Sequence, residues 1–276
     1  MTIWQLLQRS AELTASDSAV LDTELLLSHA LGVNRTYFRT WPDRQPNSDQ
    51  LKTFGLLFQR RLQGEPIAYI LGHQGFWSLD LNVSEHTLIP RPETELLVET
   101  ALELTLPRHS SVLDLGTGTG AIALALASER RNWNITAVDV QPQAVALAEV
   151  NRAAHKLDNV QIMQSNWFTA LPSANFDLIV SNPPYIENND PHLRQGDVRF
   201  EPASALVSGA DGLDDLILVI GQSAAFLTPS GWLLVEHGYD QGAGVRALFA
   251  EVGFSSIETR RDYNQIERVT FGQLSQ

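Results

Sequence analysis

One strand–loop–helix unit limits the possible folds of this chain most sharply. Ser111-Val112-Leu113-Asp114-Leu115 is an apolar run of strand length, and it enters the glycine loop Gly116-Thr117-Gly118-Thr119-Gly120. The loop opens into Ala121-Ile122-Ala123-Leu124-Ala125-Leu126-Ala127, built from the strong helix formers Ala and Leu. Beyond this unit, apolar runs and helical patterns alternate, the signature of a largely parallel sheet flanked by helices. The runs 111–116, 134–140, 160–166, 176–182, 231–238 and 255–263 are read as strands. A last strand over 268–274 follows its neighbour across the short turn Asn264-Gln265-Ile266-Glu267, a spacing that suits an antiparallel hairpin. The class is therefore α/β.

The glycines let the backbone turn sharply and let a ligand approach without Cβ clashes. Their spacing is G-x-G-x-G, whereas the dinucleotide fingerprint is G-x-G-x-x-G, and no Gly-Lys-Ser/Thr follows for a nucleoside triphosphate. Asp139 ends the next strand, Asn134-Ile135-Thr136-Ala137-Val138, nineteen residues after Gly120. A carboxylate there accepts hydrogen bonds from a ribose diol. It also suits a helix cap, because Pro142 is placed to open the following helix, and both roles are compatible. Loop and acid together point to an adenosine-containing cofactor, and the departure from dinucleotide spacing favours S-adenosylmethionine.

A second feature stands at the end of the run Phe176-Asp177-Leu178-Ile179-Val180-Ser181, which stops at Asn182-Pro183-Pro184-Tyr185. Two prolines fix φ, and Pro184 denies Pro183 the helical region, so the carbonyls there point in set directions. The turn offers an amide side chain, fixed carbonyl acceptors and an aromatic face, a set that suits a planar group bearing an NH2. Alone, the tetrapeptide is equally readable as an ordinary strand-ending turn.

In this order, Asp114 to Gly120, then Asp139, then Asn182 to Tyr185, the chain resembles S-adenosylmethionine-dependent methyltransferases that modify planar nitrogens. Three stretches narrow the resemblance: Ile89-Pro90-Arg91-Pro92-Glu93-Thr94-Glu95, Asp197-Val198-Arg199-Phe200-Glu201-Pro202 and Glu236-His237-Gly238. With them the chain is similar, over nearly its whole length, to the peptide chain release factor glutamine N5-methyltransferases. These are bacterial enzymes that methylate the glutamine of the Gly-Gly-Gln motif. The resemblance implies a Rossmann-like class I methyltransferase sheet of seven strands and a small N-terminal helical domain joined to it by a β-hairpin. Gly116, Thr117, Gly118, Thr119, Gly120, Asp139 and Asn182 are then expected to hold the cofactor, with Asn166 reading the edge of its base and Trp167 walling it in. The Asn182 side-chain oxygen and the Pro183 carbonyl are assigned to the two N–H bonds of the acceptor amide. Pro184 shapes the turn and Tyr185 covers the amide plane. His237 is assigned no chemistry, since a buried strand-end histidine satisfied by hydrogen bonds accounts for it.

The N-terminal region reads as helical from Ile3 to about Gly64. Ser16 is placed to cap a helix carrying Val20, Leu21, Leu25, Leu27 and Leu31, and Gly32 stops it. A further helix carries Leu51, Phe54, Leu57, Phe58 and Leu62. Phe76 to Val83 alternates in part like a strand. The expected division is a substrate-recognition domain over 1–70, a hairpin linker over 71–92 and a methyltransferase domain over 93–276.

Charge bears on the partner. Nineteen basic residues against 32 acidic give a formal net charge of −13, and the basic pairs Arg60-Arg61, Arg130-Arg131 and Arg260-Arg261 are scattered. Enzymes of duplex nucleic acid usually show a basic face, so this balance favours a protein substrate and disfavours direct nucleic-acid binding. A methyltransferase of exocyclic amines in adenine or guanine stays open as the alternative. A noncatalytic S-adenosylmethionine sensor fits less well, because pure binding needs no clamp for an acceptor amine. No apolar run reaches the ~20 residues of a spanning helix, no export signal opens the chain, and there are no cysteines. The expectation is a cytoplasmic enzyme without disulfides, metal or membrane contact.

Overall fold

A computed structural model describes residues 1–171 and 175–275, which divide into two units. The smaller comprises Met1–His73 with Pro191–Phe200, and the larger Gln74–Asp190 with Glu201–Gln276. The smaller unit begins with helices α1 (Ile3–Leu7), α2 (Ala19–Leu31), α3 (Thr36–Thr40), α4 (Ser48–Leu62) and α5 (Ile67–Leu71). Asn47 caps α4 in a reciprocal box with Gln50, which satisfies two otherwise orphaned N–H groups. Gly32 ends α2 in the left-handed conformation, as its sequence position predicts.

Two details of α2 differ from expectation. Ser16 does not cap it; the Ser16 hydroxyl donates to Asp22 Oδ2 at 2.7 Å, and the helix starts at Ala19. Val20 and Leu21 are 65% and 40% exposed, while Leu26 and Leu27 are fully buried with Ile3, Phe54 and Phe58. Helical spacing alone leaves the choice of buried face open, and tertiary packing decides it. Fully burying one such aromatic contributes roughly 1.5–3 kcal/mol.

Arg61, on α4, is also buried. It donates to Asp22 at 2.7 Å and to Asp197 at 2.8 Å, which ties the segment Pro191–Phe200 to the helices of its own unit.

The ribbon of β1 (His73–Phe76) and β2 (Leu79–Asn82) follows. The expected hairpin is present, and Phe76 to Val83 runs across its turn. Trp77, at φ +56°, turns the chain, and Phe76 and Leu81 are buried on either side of the turn.

After α6 (Glu95–Glu103) the chain alternates: β3 (Ser111–Leu115), α7 (Ala121–Glu129), β4 (Asn134–Asp139), α8 (Pro142–Ala154), β5 (Val160–Gln164) and β6 (Phe176–Ser181). Then come α9 (Asp214–Ser223), β7 (Leu227–Glu236), α10 (Gly242–Val252), β8 (Phe254–Arg261) and β9 (Glu267–Leu274). The sheet has seven strands in the order β5-β4-β3-β6-β7-β9-β8. The first five are parallel, and β9 runs antiparallel to both β7 and β8. This is the Rossmann-like class I methyltransferase sheet that the sequence led us to expect.

Central β3 is covered on both faces, so its residues are apolar almost without interruption. Val112 packs with Leu97, Val98 and α7 on one face; Leu113 and Leu115 pack with α9 and α10 on the other. Every residue from Ala121 to Ala127 is buried, and the alternating alanines let α7 lie close to the sheet. No helix among the described residues is long and apolar enough to cross a membrane.

Candidate active site

The strand order reverses beside β3, where the chain runs out through β4 and β5 and returns as β6. Open α/β sheets bind ligands at the carboxyl ends of their strands at such a reversal. Leu115 pairs with Ser181, so β3 and β6 end level and the glycine loop and proline turn leave the sheet together.

Buried Asp114 shapes the glycine loop from below: its Oδ2 accepts from Thr117 Oγ1 at 2.6 Å and from the Ala123 N–H at 3.2 Å. Burial raises its pKa to about 7, against the hydrogen bonds that lower it. Gly116 and Thr117 both donate to the Val138 carbonyl at 2.9 Å. Asp139 accepts from the Gly118 N–H through Oδ2 and the Gln141 N–H through Oδ1, each at 2.9 Å. It is at once the brace of the loop and the cap of the next turn, and burial pushes its pKa up.

A cavity of about 280 Å³ opens above these elements. Gly116, Thr117, Gly118, Thr119 and Asp139 line one part of it. Asn166 and Trp167 line another, and Asn182 and Pro184 join from the proline turn. Trp167 adopts the left-handed conformation at φ +48°, and its ring lies where a Cβ on Gly116 would meet it at 3.5 Å. A bulky residue held there is strained, and such strain gathers at ligand sites. Thr87, Leu88, Pro90, Arg91 and Thr94, from the segment before α6, form a further wall that the sequence left unassigned.

Three expected residues lie off the cavity lining. Gly120, at φ +86°, makes close helix packing possible, because a Cβ there would stand 3.0 Å from Leu124. Pro183 is buried within the turn. Tyr185 packs against the apolar core and donates its hydroxyl to Glu236 Oε1 at 3.2 Å. Burial and the Glu236 charge push the Tyr185 pKa far up.

Sequence reasoning missed three supporting residues. Thr94 Oγ1 accepts from Asn182 Nδ2 at 3.1 Å. Glu236, fully buried, has its pKa raised to about 7 by desolvation. Asn151 joins β2 to the glycine loop, accepting from the Asn82 N–H at 2.8 Å and donating to the Thr119 carbonyl at 2.9 Å. Its signal was legible: Asn151 continues the buried stripe Ala144–Ala148 on α8, where a polar residue requires a partner. His237 is held by Gly238 and Thr270 at 2.8 and 2.9 Å, with its pKa lowered by burial, which accounts for it without chemistry. The described residues contain no cluster of His, Cys, Asp and Glu able to hold a metal.

A strand-end cavity floored by glycines and edged by Asp139 defines the class: an S-adenosylmethionine-dependent methyltransferase. The residues fit that cofactor, since at Gly118, with φ +55°, a Cβ would find no atom within 4 Å and would occupy ligand space. A methyltransferase from Pyrococcus furiosus shares the fold, with a TM-score of 0.57 at 16% identity, over 79% of this chain and 98% of that one. The methyltransferase small domain family matches residues 92–209, and the PrmC N-terminal domain family matches residues 5–72.

Release factor glutamine methyltransferase from Pseudomonas aeruginosa is 57% identical over 99% of both chains. The enzyme of that name from Escherichia coli is 49% identical over 96% of both. The chain belongs to the release factor glutamine methyltransferase family.

Proposed function

We propose that this enzyme moves a methyl group from S-adenosylmethionine to the side-chain nitrogen, N5, of the glutamine in the Gly-Gly-Gln motif of peptide chain release factors. The observation that carries the proposal is the meeting of Asn182, the glycine loop and Asp139 on one cavity, in a chain of this family. In this reading Gly116, Thr117, Gly118 and Thr119 admit the cofactor to the backbone, Asp139 accepts from its ribose, and Asn166 and Trp167 enclose its base. Gly120 supports the loop from the helix side.

An amide nitrogen is a poor nucleophile because its lone pair is shared with the carbonyl. The cofactor supplies a methyl group already activated on a positive sulfur. The protein therefore has to place the nitrogen in line and exclude water. Asn182 Oδ1 and the Pro183 carbonyl accept the two amide N–H bonds and favour the positive charge that grows on nitrogen. Pro184 keeps the turn rigid. Tyr185 anchors it by its hydroxyl bond to Glu236, and its carbonyl accepts from Gln241 Nε2 at 3.0 Å. No general base is needed, since a protonated N-methyl amide is acidic enough to lose its proton to water.

The N-terminal unit serves recognition of the folded substrate, because one reacting amide offers too few atoms for discrimination. The match of residues 5–72 to a family-specific domain supports this role. The six paired arginines also favour a protein substrate. Arg60 pairs with Glu65, Arg260 with Glu103 and Arg261 with Glu267, Arg130 and Arg131 donate to carbonyls, and Arg61 is buried. The enzyme acts where release factors act, in the cytoplasm. Labelled methyl transfer to purified release factor, total RNA and DNA tests the proposal. Label confined to nucleic acid would overturn it.

A further inference from the structure

The proline turn cannot be hung from its own interior. Pro183 and Pro184 carry no N–H, so neither can donate a hydrogen bond to a neighbouring element. The direction of the Pro183 carbonyl and of the Asn182 side chain is therefore set largely at the ends of the turn. The near end is tied to β3, where the Ser181 hydroxyl donates to the Leu115 carbonyl at 2.9 Å.

The far end is tied twice. Just past Tyr185, the Ile186 N–H donates to the Leu206 carbonyl and the Ser208 N–H donates to the Ile186 carbonyl, each at 2.9 Å. The Tyr185 carbonyl itself meets the side chain of Gln241. Gln241 Nε2 donates to the Tyr185 carbonyl at 3.0 Å and to the Gly212 carbonyl at 3.3 Å, while its Oε1 accepts from the Gly238 N–H at 2.8 Å. One amide thus joins the proline turn, the approach to α9 and the loop after β7. Its orientation is fixed, because turned over it would set oxygen against two carbonyls and NH2 against an N–H. Only glycine suits position 212: φ is +74°, and a Cβ there would stand 2.3 Å from the Tyr185 carbonyl oxygen. Gln241 is also the residue from which α10 starts, since its carbonyl accepts from the Val245 N–H at 3.0 Å. A supporting group placed on a rigid element holds a site more tightly than one on a free loop.

We propose that Gln241 is a positioning residue for methyl transfer: by holding the Tyr185 and Gly212 carbonyls together it fixes the far end of the proline turn, and with it the Pro183 carbonyl and the Asn182 side chain. This deepens, and rests on, the reading of Asn182 and Pro183 as the amide clamp. Gln241 does not line the cavity, so its effect falls on the transfer step and not on cofactor binding.

Single-turnover methyl transfer to release factor at saturating S-adenosylmethionine tests the staple, with cofactor affinity measured separately by calorimetry. Gln241→Ala removes the link, and Gln241→Glu keeps the size of the side chain but sets a carboxylate against two carbonyls. The maximal rate should fall roughly tenfold in Gln241→Ala and further in Gln241→Glu, with cofactor affinity and the release factor concentration for half-maximal rate each within about twofold of wild type. Because Gln241 acts through the clamp, Gln241→Ala should add nothing to the loss already present in Asn182→Ala. A wild-type maximal rate in Gln241→Ala would overturn the proposal. So would losses that multiply in the double variant, or a loss confined to the half-saturating concentration. If Gln241→Glu does not fold, Gln241→Ala and its pair with Asn182→Ala decide alone. An undiminished rate in Asn182→Ala would refute the clamp itself, whereas a slow Asn182→Ala beside a fast Gln241→Ala would refute only the staple.

Discussion

The Ser181 hydroxyl donates to the Leu115 carbonyl at 2.9 Å, at the point where β3 and β6 stop. Leu115 is the last residue before the glycine loop and Ser181 the last before Asn182, so this bond fixes the separation of the two halves of the site. Ser181→Ala should cost about 1 kcal/mol of stability, the usual net worth of one such bond. It should also slow methyl transfer more than it weakens cofactor binding. Urea unfolding and single-turnover rates would show this, and a stability loss with unaltered rates would make the bond purely structural.

Asp139 does two things at once, bracing Gly118 and capping Gln141. Asp139→Ala should weaken S-adenosylmethionine binding by about 1.5–3 kcal/mol, the range for a charge-assisted hydrogen bond. Calorimetry on the folded variant measures it. Unchanged affinity would leave Asp139 the structural role alone.

Gly120 combines φ +86° with a neighbour 3.0 Å from any added Cβ. Gly120→Ala should destabilise the protein by about 1–3 kcal/mol through backbone strain. A denaturation midpoint equal to wild type would show that α7 can shift without cost.

Buried Asp114 has its pKa raised from 3.8 to about 7, so the native state keeps a proton that the unfolded chain gives up. Its contribution to stability is full below about pH 4 and is lost as pH rises through about 7. Buried Glu236, also raised to about 7, adds a dependence of the same sign. Asp114→Asn cannot titrate, so its stability relative to wild type should climb from about pH 5 to about pH 8. Parallel stability curves for the two proteins would mean that Asp114 does not titrate in this range.

Arg61 sits buried between Asp22 and Asp197. Arg61→Ala should destabilise the smaller unit by about 3–5 kcal/mol, because it leaves Asp22 buried without its cation. Limited proteolysis within Pro191–Phe200 should speed up correspondingly. Unchanged cleavage would show that the segment is held by other contacts.

Much of the fold was legible because buried parallel strands such as β3 and β6 are mostly apolar, and Gly, Pro and Asp mark where they end. The cofactor edge was legible for the same reason: Gly116, Gly118 and Asp139 are local signals, each tied to the strand before it. What packing decides was not. Val20 and Leu21 have the right spacing and face outward, and Trp77 turns a chain whose alternation reads straight through it. Thr94 and Glu236 meet Asn182 and Tyr185 only through the fold, across 88 and 51 residues of sequence. Both lay inside stretches that carried the family resemblance, but nothing local to them announces a hydrogen-bonded support.

The central claim is tested most directly by locating the methyl group. Purified release factor is incubated with this enzyme and S-adenosylmethionine, digested and read by tandem mass spectrometry, in parallel with Asn182→Ala. The account predicts one added methyl on the side-chain nitrogen of the Gly-Gly-Gln glutamine, formed roughly a hundredfold more slowly by the variant, the scale on which a preorganised contact at the reacting centre acts. A methyl group on any other residue, or an Asn182→Ala enzyme as fast as wild type, would contradict it.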